Sequence, residues 1–492
     1  MKKYKGFKKA GCFTLMNGIK LQGELSLDGA ATALELYSES PVNSITSTDI
    51  CGIFFNGEKV SLINCVEMER SRHFVKEGET PCYKISIFPH FVIFGDQYIH
   101  SSCQIIHSLS FSIDDAATIF YDFDAFGLAL NAKSYLKNIL EGKASKVGRE
   151  IELGEHPSLF YFTGKYEIFE ADTILGKISA THAPSFQSPG PKGIQINNTI
   201  KINIVFDSVK DIDESVRNIL DILRFIEVIA GRCQNISDLI FLPLNTKEQF
   251  SLFDVYWCEP PHRNRNDGSR KPYPADLPLQ AAIKPDEFSN VLKHWLERND
   301  EWRSARARFS TAFAHQNRYT IDRIVGAANM FDILPSSTYP SSTPLAPDII
   351  EAKQKTRKLF KELPVSPERD SVLNALGRIG KPSLKRKVQS RVKLITDVVG
   401  DRFPELEFVT DQAINCRNYY VHGSGTKIDY SVHSNQVQFF TDTLEFVFAA
   451  SDLVESGWDI FTWIKQGSSL SHPFAQYCFN YRQMLTGLKQ LF

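Results

Sequence analysis

Near the end of the chain, Cys416-Arg417-Asn418-Tyr419-Tyr420-Val421-His422-Gly423 sets a permanent cation, a polar amide and a titratable imidazole on one short stretch. Arginine stays charged and forks onto phosphate oxygens, while histidine takes up or releases a proton near neutral pH. Together they have the chemistry to cleave a phosphodiester without a metal. An Arg-x4-His spacing is common by chance in a chain with 12 His, so its surroundings must decide. A competing pair, Arg308 and His315, stands among apolar residues and reads as helix packing with a satisfied histidine.

A basic tract is the second chemical feature. Between Glu351 and Lys393 there are 13 Lys/Arg against 4 acidic residues, in a chain whose net charge is -1. Such a local excess suits a polyanion held through its backbone, with Lys385, Arg386, Lys387 and Arg391 as candidate contacts. The plain alternative is a lysine-rich helix face turned to water.

Other chemistries find little support. There is no Gly-rich dinucleotide fingerprint and no G-x-S-x-G elbow, and Gly377-Arg-Ile-Gly-Lys-Pro-Ser lacks phosphate-loop spacing and reads as a helix end. Asp114-Asp115 and Asp122-Phe-Asp124 have no His or Cys at ligand spacing and read as solvated turns, so neither a metal nor a cofactor is expected. The 9 Cys are scattered without a C-x-x-C, which argues against a disulfide framework or a zinc site and fits a reducing cytosol. The basic Met1–Lys9 start has no signal-peptide apolar run behind it, and no stretch has the roughly 18 apolar residues of a membrane span. A cytoplasmic protein away from membranes is the expectation.

The elements that must position these residues divide the chain. Residues 10–115 mostly alternate apolar with polar in short runs, the signature of half-buried strands, with Asn56-Gly57 as a hairpin turn. Residues 116–206 carry more strands, including 158–162 and 194–206, with 183–193 as a loop. Residues 211–230 form an amphipathic helix closed by Gly231, and the Pro-rich, charged 259–274 is a loop or linker.

Beyond 285 the pattern turns helical, at 286–298, 302–315, 319–334, 348–363, 367–379, 383–399, 408–422, 436–456 and 474–491, with 334–344 as an exposed loop. No repeat period links the helices, so a bundle is favoured over a solenoid. The fold class is α+β, with a sandwich- or barrel-like β-rich half ahead of an all-α bundle. The expected divisions are 1–185, 186–283 as strand, helix and linker, and 284–492.

On a helix over 408–422, Val409, Ala413, Cys416 and Tyr420 form a core stripe, and Asp411, Asn415, Asn418 and His422 form an opposite polar one. Arg417 and His422 then stand about 140° apart and roughly 7.5 Å apart in rise. Either the helix frays at its end or a second copy contributes to the site. Gly423 ends the helix, so the negative end of its dipole faces His422, which favours a group that must donate a proton to a leaving alkoxide. A merely solvated polar face is the alternative.

Arg417-Asn418-Tyr419-Tyr420-Val421-His422 resembles the R-N-x-x-x-H signature of HEPN domains, helical bundles many of which are metal-independent ribonucleases. The N-terminal half is similar to the β-rich domain ahead of ApeA-type HEPN domains, in Gly11-x-Phe13, in 23–29 and in Gly52, Gly57 and 60–65. The resemblance implies an anti-phage, abortive-infection protein of bacteria, whose N-terminal half senses a phage-derived trigger and whose C-terminal half degrades RNA, tRNA among the candidates. By match to the motif, Arg417 would hold the scissile phosphate, His422 would be general acid or base, and Asn418 would orient the His or the RNA. The family pairs two such motifs across a homodimer, which implies that the polar stripe faces a partner copy. The family also often carries a polar residue on an earlier helix near the Arg, which the sequence alone does not locate.

Overall fold

In the computed structural model all residues are described except 1–3, 16, 43–47, 74–81, 188–192, 194, 245–251, 262–268, 317, 340–344 and 426. Parts of three expected loops, at 183–193, 259–274 and 334–344, lie outside the described residues. Two compact units emerge: Met1–Ser215 with Ile236–Pro260 and Gln280–Ser289, and Val216–Asn235 with Pro261–Leu279 and Asn290–Phe492.

The first unit begins with β1 (Lys8–Thr14), β2 (Lys20–Ser26), β3 (Ala33–Ser38), β4 (Ile50–Phe54), β5 (Lys59–His73) and β6 (Cys82–Gly95). They pair antiparallel in the order β6-β3-β2-β1-β4-β5, and β5 pairs with β6 again, so the six close into a barrel. Alternation along each strand sends Phe13, Leu25, Leu34, Leu36, Leu62 and Ile87 into the interior, where each has 0% exposure. The expected turn joins β4 to β5: Gly57 takes φ +87, a left-handed value that glycine adopts without strain, and its amide donates to the Phe54 carbonyl at 2.9 Å.

The chain continues through β7 (Ile106–Ile113), α1 (Ala116–Ile119), β8 (Phe126–Ala129), α2 (Lys133–Val147), β9 (Leu159–Phe162), β10 (Glu167–Thr173), β11 (Gly176–Gln187), β12 (Gln195–Lys210), α3 (Ile212–Ala230), which from Val216 on belongs to the second unit, β13 (Ile236–Pro243) and β14 (Phe253–Trp257). The order β10-β11-β12-β7-β13-β14 runs on into β6, with Val255 opposite Ile93, while β8 and β9 pair separately.

Two expectations for 116–206 are corrected. Residues 133–147, within a stretch expected to carry strands and given no element of their own, are helical; no side chain of α2 is buried, so the apolar periodicity that marks a packed helix is weak there. Residues 183–187, read as loop, extend β11, with Pro184 opposite Asn198. Proline is tolerated because β10 pairs β11 only as far as Thr181, leaving an edge at that point.

Most of the second unit is helical: α4 (Pro285–Glu297), α5 (Asn299–Phe313), α6 (Ile321–Asp332), α7 (Pro347–Glu362), α8 (Pro367–Arg378), α9 (Leu384–Val399), α10 (Leu406–His422), α11 (Ser434–Glu455), α12 (Ile460–Lys465) and α13 (Pro473–Lys489). Nine of these match the periodic segments of the sequence closely, while α12 is too short to show a period. Buried residues occupy nearly every face of α11, which makes it the central helix.

Buried charge fixes how α11 packs. Arg306 clamps Asp452 through Nε and Nη2 at 2.8 and 3.0 Å, and Arg298 reaches the same carboxylate at 2.7 Å. Arg391 Nη1 donates to Glu455 at 2.9 Å, and its guanidinium lies 4.8 Å from the Trp302 ring centre. Although burial acts to raise it, the Asp452 carboxyl is held below its ordinary pKa by Arg306 and Arg298.

A second buried carboxylate organises the approach to α13. Asp276 accepts from the amides of Ser469 and Ser471 at 2.8 and 2.7 Å and from the hydroxyls of Ser468, Ser469 and Ser471. Burial raises its pKa, but the hydrogen bonds from Ser471 and Ser469 outweigh it and bring the group from 3.8 down to about 2. A depressed folded pKa means stability that is present in full above the ordinary value and lost as pH falls through the folded one. Wild-type protein should therefore lose stability between about pH 4 and about pH 2 more steeply than Asp276→Asn in acid titrations followed by circular dichroism. Asp276→Ala, which leaves several buried donors unpaired, should cost about 2–4 kcal/mol in urea unfolding at neutral pH.

Candidate active site

Helix α10 buries Val409, Ala413 and Cys416, as its periodicity demands, together with Thr410 and Ile414. Burial pushes the Cys416 thiol up to about 12, so it is no nucleophile. The helix stops at Gly423, which takes φ 64 and donates its amide to the Tyr419 carbonyl at 2.9 Å. His422 is left exposed in the last turn.

Arg417, with its side chain 15% exposed, reaches along the helix rather than away from it. Its Nη1 lies 3.3 Å from His422 Nε2 and donates to Asn418 Oδ1 at 3.1 Å. The divergence expected from the projection is thus corrected: it describes where the Cβ atoms point, and the long arginine stem spans the difference. Arginine only donates, so a hydrogen bond to Nε2 requires the neutral imidazole with its proton on Nδ1. In that arrangement Nε2 can take a proton only once the hydrogen bond from Arg417 is given up.

The other guanidinium nitrogen reaches a neighbouring helix. Nη2 donates to Asn329 Oδ1 on α6 at 2.9 Å, and Asp332 Oδ2 lies 3.9 Å away. Asn329 is a polar residue within the apolar run 324–331, a signal that was present in the sequence. Arg417 Nε is buried without a hydrogen-bond partner among the described residues.

The basic residues divide by burial. Lys385 and Gln389 approach the two Asp411 oxygens at 3.5 and 3.2 Å, and the Asp411 side chain stays partly exposed. Lys387 donates to the Asp332 carbonyl and lies 5.0 Å from the Tyr339 ring centre; burial lowers its pKa from the ordinary value. Arg386 is exposed. Arg391 is corrected: at 1% exposure, clamped on Glu455 and Ser451, it cannot meet a polyanion, because α9 turns that position inward.

The competing pair is also corrected. Arg308 and His315 are both exposed, whereas Arg306 is the arginine of α5 that packs inward. Beside the site, the exposed Tyr419 ring lies 5.1 Å from Tyr420 and 5.3 Å from Tyr430. In the first unit, Asp122 meets a distant histidine, His182 Nε2, at 3.4 Å. No group of three or more metal-ligating side chains occurs among the described residues.

A helical bundle with Arg417-Asn418 and His422 at a helix end belongs to the HEPN class, and residues 325–460 match the family model described as Apea-like HEPN. Residues 9–295, more than half of the chain, match the model described as ApeA N-terminal domain 1. The chain therefore belongs to the ApeA family: it is an anti-phage defence protein with a C-terminal HEPN module. No curated protein and no solved structure matches it. No helix among the described residues is long and apolar enough to cross a membrane.

The division of the basic tract is testable by thermal and urea denaturation. Arg391→Ala, which removes a buried guanidinium from Ser451, Glu455 and the Trp302 ring, should destabilise the fold by about 1–3 kcal/mol. Arg386→Ala should change it by no more than about 0.5 kcal/mol.

Proposed function

We propose that the chain is a metal-independent endoribonuclease that acts in abortive infection, with its N-terminal half sensing a phage-derived trigger in the bacterial cytoplasm. The observation that carries this reading is the convergence of Arg417 and His422 at 3.3 Å beside the Asn329 amide. In the reaction, the ribose 2′-oxygen attacks the adjacent phosphorus as the bond to the 5′-oxygen breaks, leaving a 2′,3′-cyclic phosphate. RNA is the substrate because DNA lacks the attacking hydroxyl.

His422 removes the 2′-hydroxyl proton or returns one to the 5′-oxygen. Arg417 neutralises the charge that builds on the phosphoryl oxygens, so the chemistry as written needs no metal. Asn329 and Asn418 hold the guanidinium fork in place before substrate arrives. The exposed Tyr419 ring offers a surface on which a flanking base can stack, and Arg386, Lys385 and Lys387 are the backbone contacts. A homodimer through the HEPN module would supply a second histidine, so that one acts as base and the other as acid. tRNA is among the candidate substrates.

One observation favours a second reading, in which the module binds RNA or a nucleotide without cutting it and acts through dimerisation. Arg417 is already engaged with Asn329, Asn418 and His422, and an arginine so occupied can simply brace a helix end.

Sequencing RNA 3′ ends after induction in cells separates the two. Arg417→Ala and His422→Ala should each lower cleavage by roughly a hundredfold or more while leaving the melting temperature unchanged, and EDTA should have no effect. Asn329→Ala should give an intermediate loss. If His422→Ala cuts as well as wild type, the chemistry is wrong; if no new cyclic-phosphate ends arise at all, the binding module is the better reading.

A further inference from the structure

A cavity of about 580 Å³ opens between α11, α13 and the adjoining ends of α5 and α6, and none of its lining residues belongs to the Arg417 site. Its volume falls within the roughly 300–1,000 Å³ of small-molecule sites. One face of α11 supplies Gln438, Asp442 and Glu445, and the facing turns of α13 supply Gln476, Tyr477 and Asn480.

The charges on this lining are unequal in exposure. Arg323 grips Glu445 with Nε at 2.9 Å and Nη2 at 2.7 Å, and the two side chains are only 3% and 6% exposed. They neutralise each other and are sealed. Asp442 is 32% exposed, receives the Tyr319 hydroxyl at 2.9 Å, and has Arg323 no nearer than 3.7 Å. The remaining charge on the described lining is the exposed Arg270. Burial, with Glu445 adding to it against Arg323, pushes the Asp442 carboxyl up to about 7, as fits a carboxylate without a full counter-ion.

We propose that this cavity binds a small organic cation, an ammonium or guanidinium group on a compact carbon body, with Asp442 as its counter-ion. Phe439 and Tyr477 lie in the same wall, their ring centres 6.4 Å apart, and offer aromatic surface to such a cation and to its carbon body. The Gln438, Gln476 and Asn480 amides can accept from its N–H groups. An anion would meet Asp442 and Glu445, and a neutral ligand would leave Asp442 only the distant Arg323, already engaged by Glu445, as counter-charge.

The test is isothermal titration calorimetry of the full chain with tyramine and with agmatine, each compared with a neutral counterpart, N-acetyltyramine and n-butylurea, at about pH 6 and about pH 8. Both cations keep their charge over that window. Facing Asp442 are Arg323, Glu445, Tyr319, Tyr477, Tyr481 and Arg270; burial raises all three tyrosines, and the arginines stay charged. At least one cation should bind at one site per chain, at least about tenfold more tightly than its neutral counterpart and about tenfold more tightly at the higher pH. Asp442→Asn should abolish the pH dependence and weaken binding by about tenfold or more. Should that variant fail to fold, the pH comparison on wild type still decides. No binding of either cation, equal binding of a neutral counterpart, or equal affinity at both pH values would overturn the proposal.

Discussion

The helical unit hangs on one charge cluster around Trp302: the buried Arg306, Arg391 and Asp452, with the partly exposed Arg298 and the exposed Glu455 at its edge. Ion pairs taken out of water gain little over apolar packing, yet losing one partner is costly because the other is left uncompensated. The cluster therefore acts more on geometry than on total stability. Its members come from α5 and its N-cap Arg298, α9 and α11, so the rotation of each helix about its axis is tied to the others. Once Arg391 is turned inward, the first turn of α9 must present Lys385 and Lys387 toward α10 and the end of α6.

That constraint reaches the candidate site. Lys385 holds Asp411 of α10, and Lys387 holds the last turn of α6, which also carries Asn329 and Asp332 beside Arg417. The guanidinium is fixed by neighbours on two helices, so its fork is oriented before any phosphate arrives. Preorganisation of this kind matters because a donor that must reorient during the reaction loses part of its stabilising effect. The same tethers leave Arg417 with a buried Nε that no described residue satisfies.

Much of the fold was legible in the sequence, unevenly and for physical reasons. Strands whose alternation fills the barrel stand out because Phe13, Leu25, Leu34 and Leu36 are large and regularly spaced. Among the segments missed, β10 and β11 carry small or polar residues at buried positions, as at Ala171, Ala180 and His182, β8 and β14 are short, and the alternation of β13 is broken by an irregularity at Asp238. Long helices were found nearly to the residue, whereas α2, which buries nothing, and α12, with six residues, gave no period to read. At the site, residue types pointed to Arg417 and His422, but a helical projection tracks Cβ directions and not the reach of a long side chain. Asn329 stood out as a polar residue in an apolar run, but its pairing with Arg417 and the inward turn of Arg391 depend on neighbouring helices, which a one-dimensional pattern does not contain.

Strand β6 belongs to two structures at once, closing the barrel through β3 and β5 and receiving β14 from the open sheet. A strand shared in this way cannot be assigned to one module and removed from the other. Cutting the sheet away would leave the barrel closed through β3 and β5 but would strip β14 from residues 91–94 of β6, exposing a strand edge there. This matches a single family segment running from residue 9 to residue 295 without a break at the barrel's end.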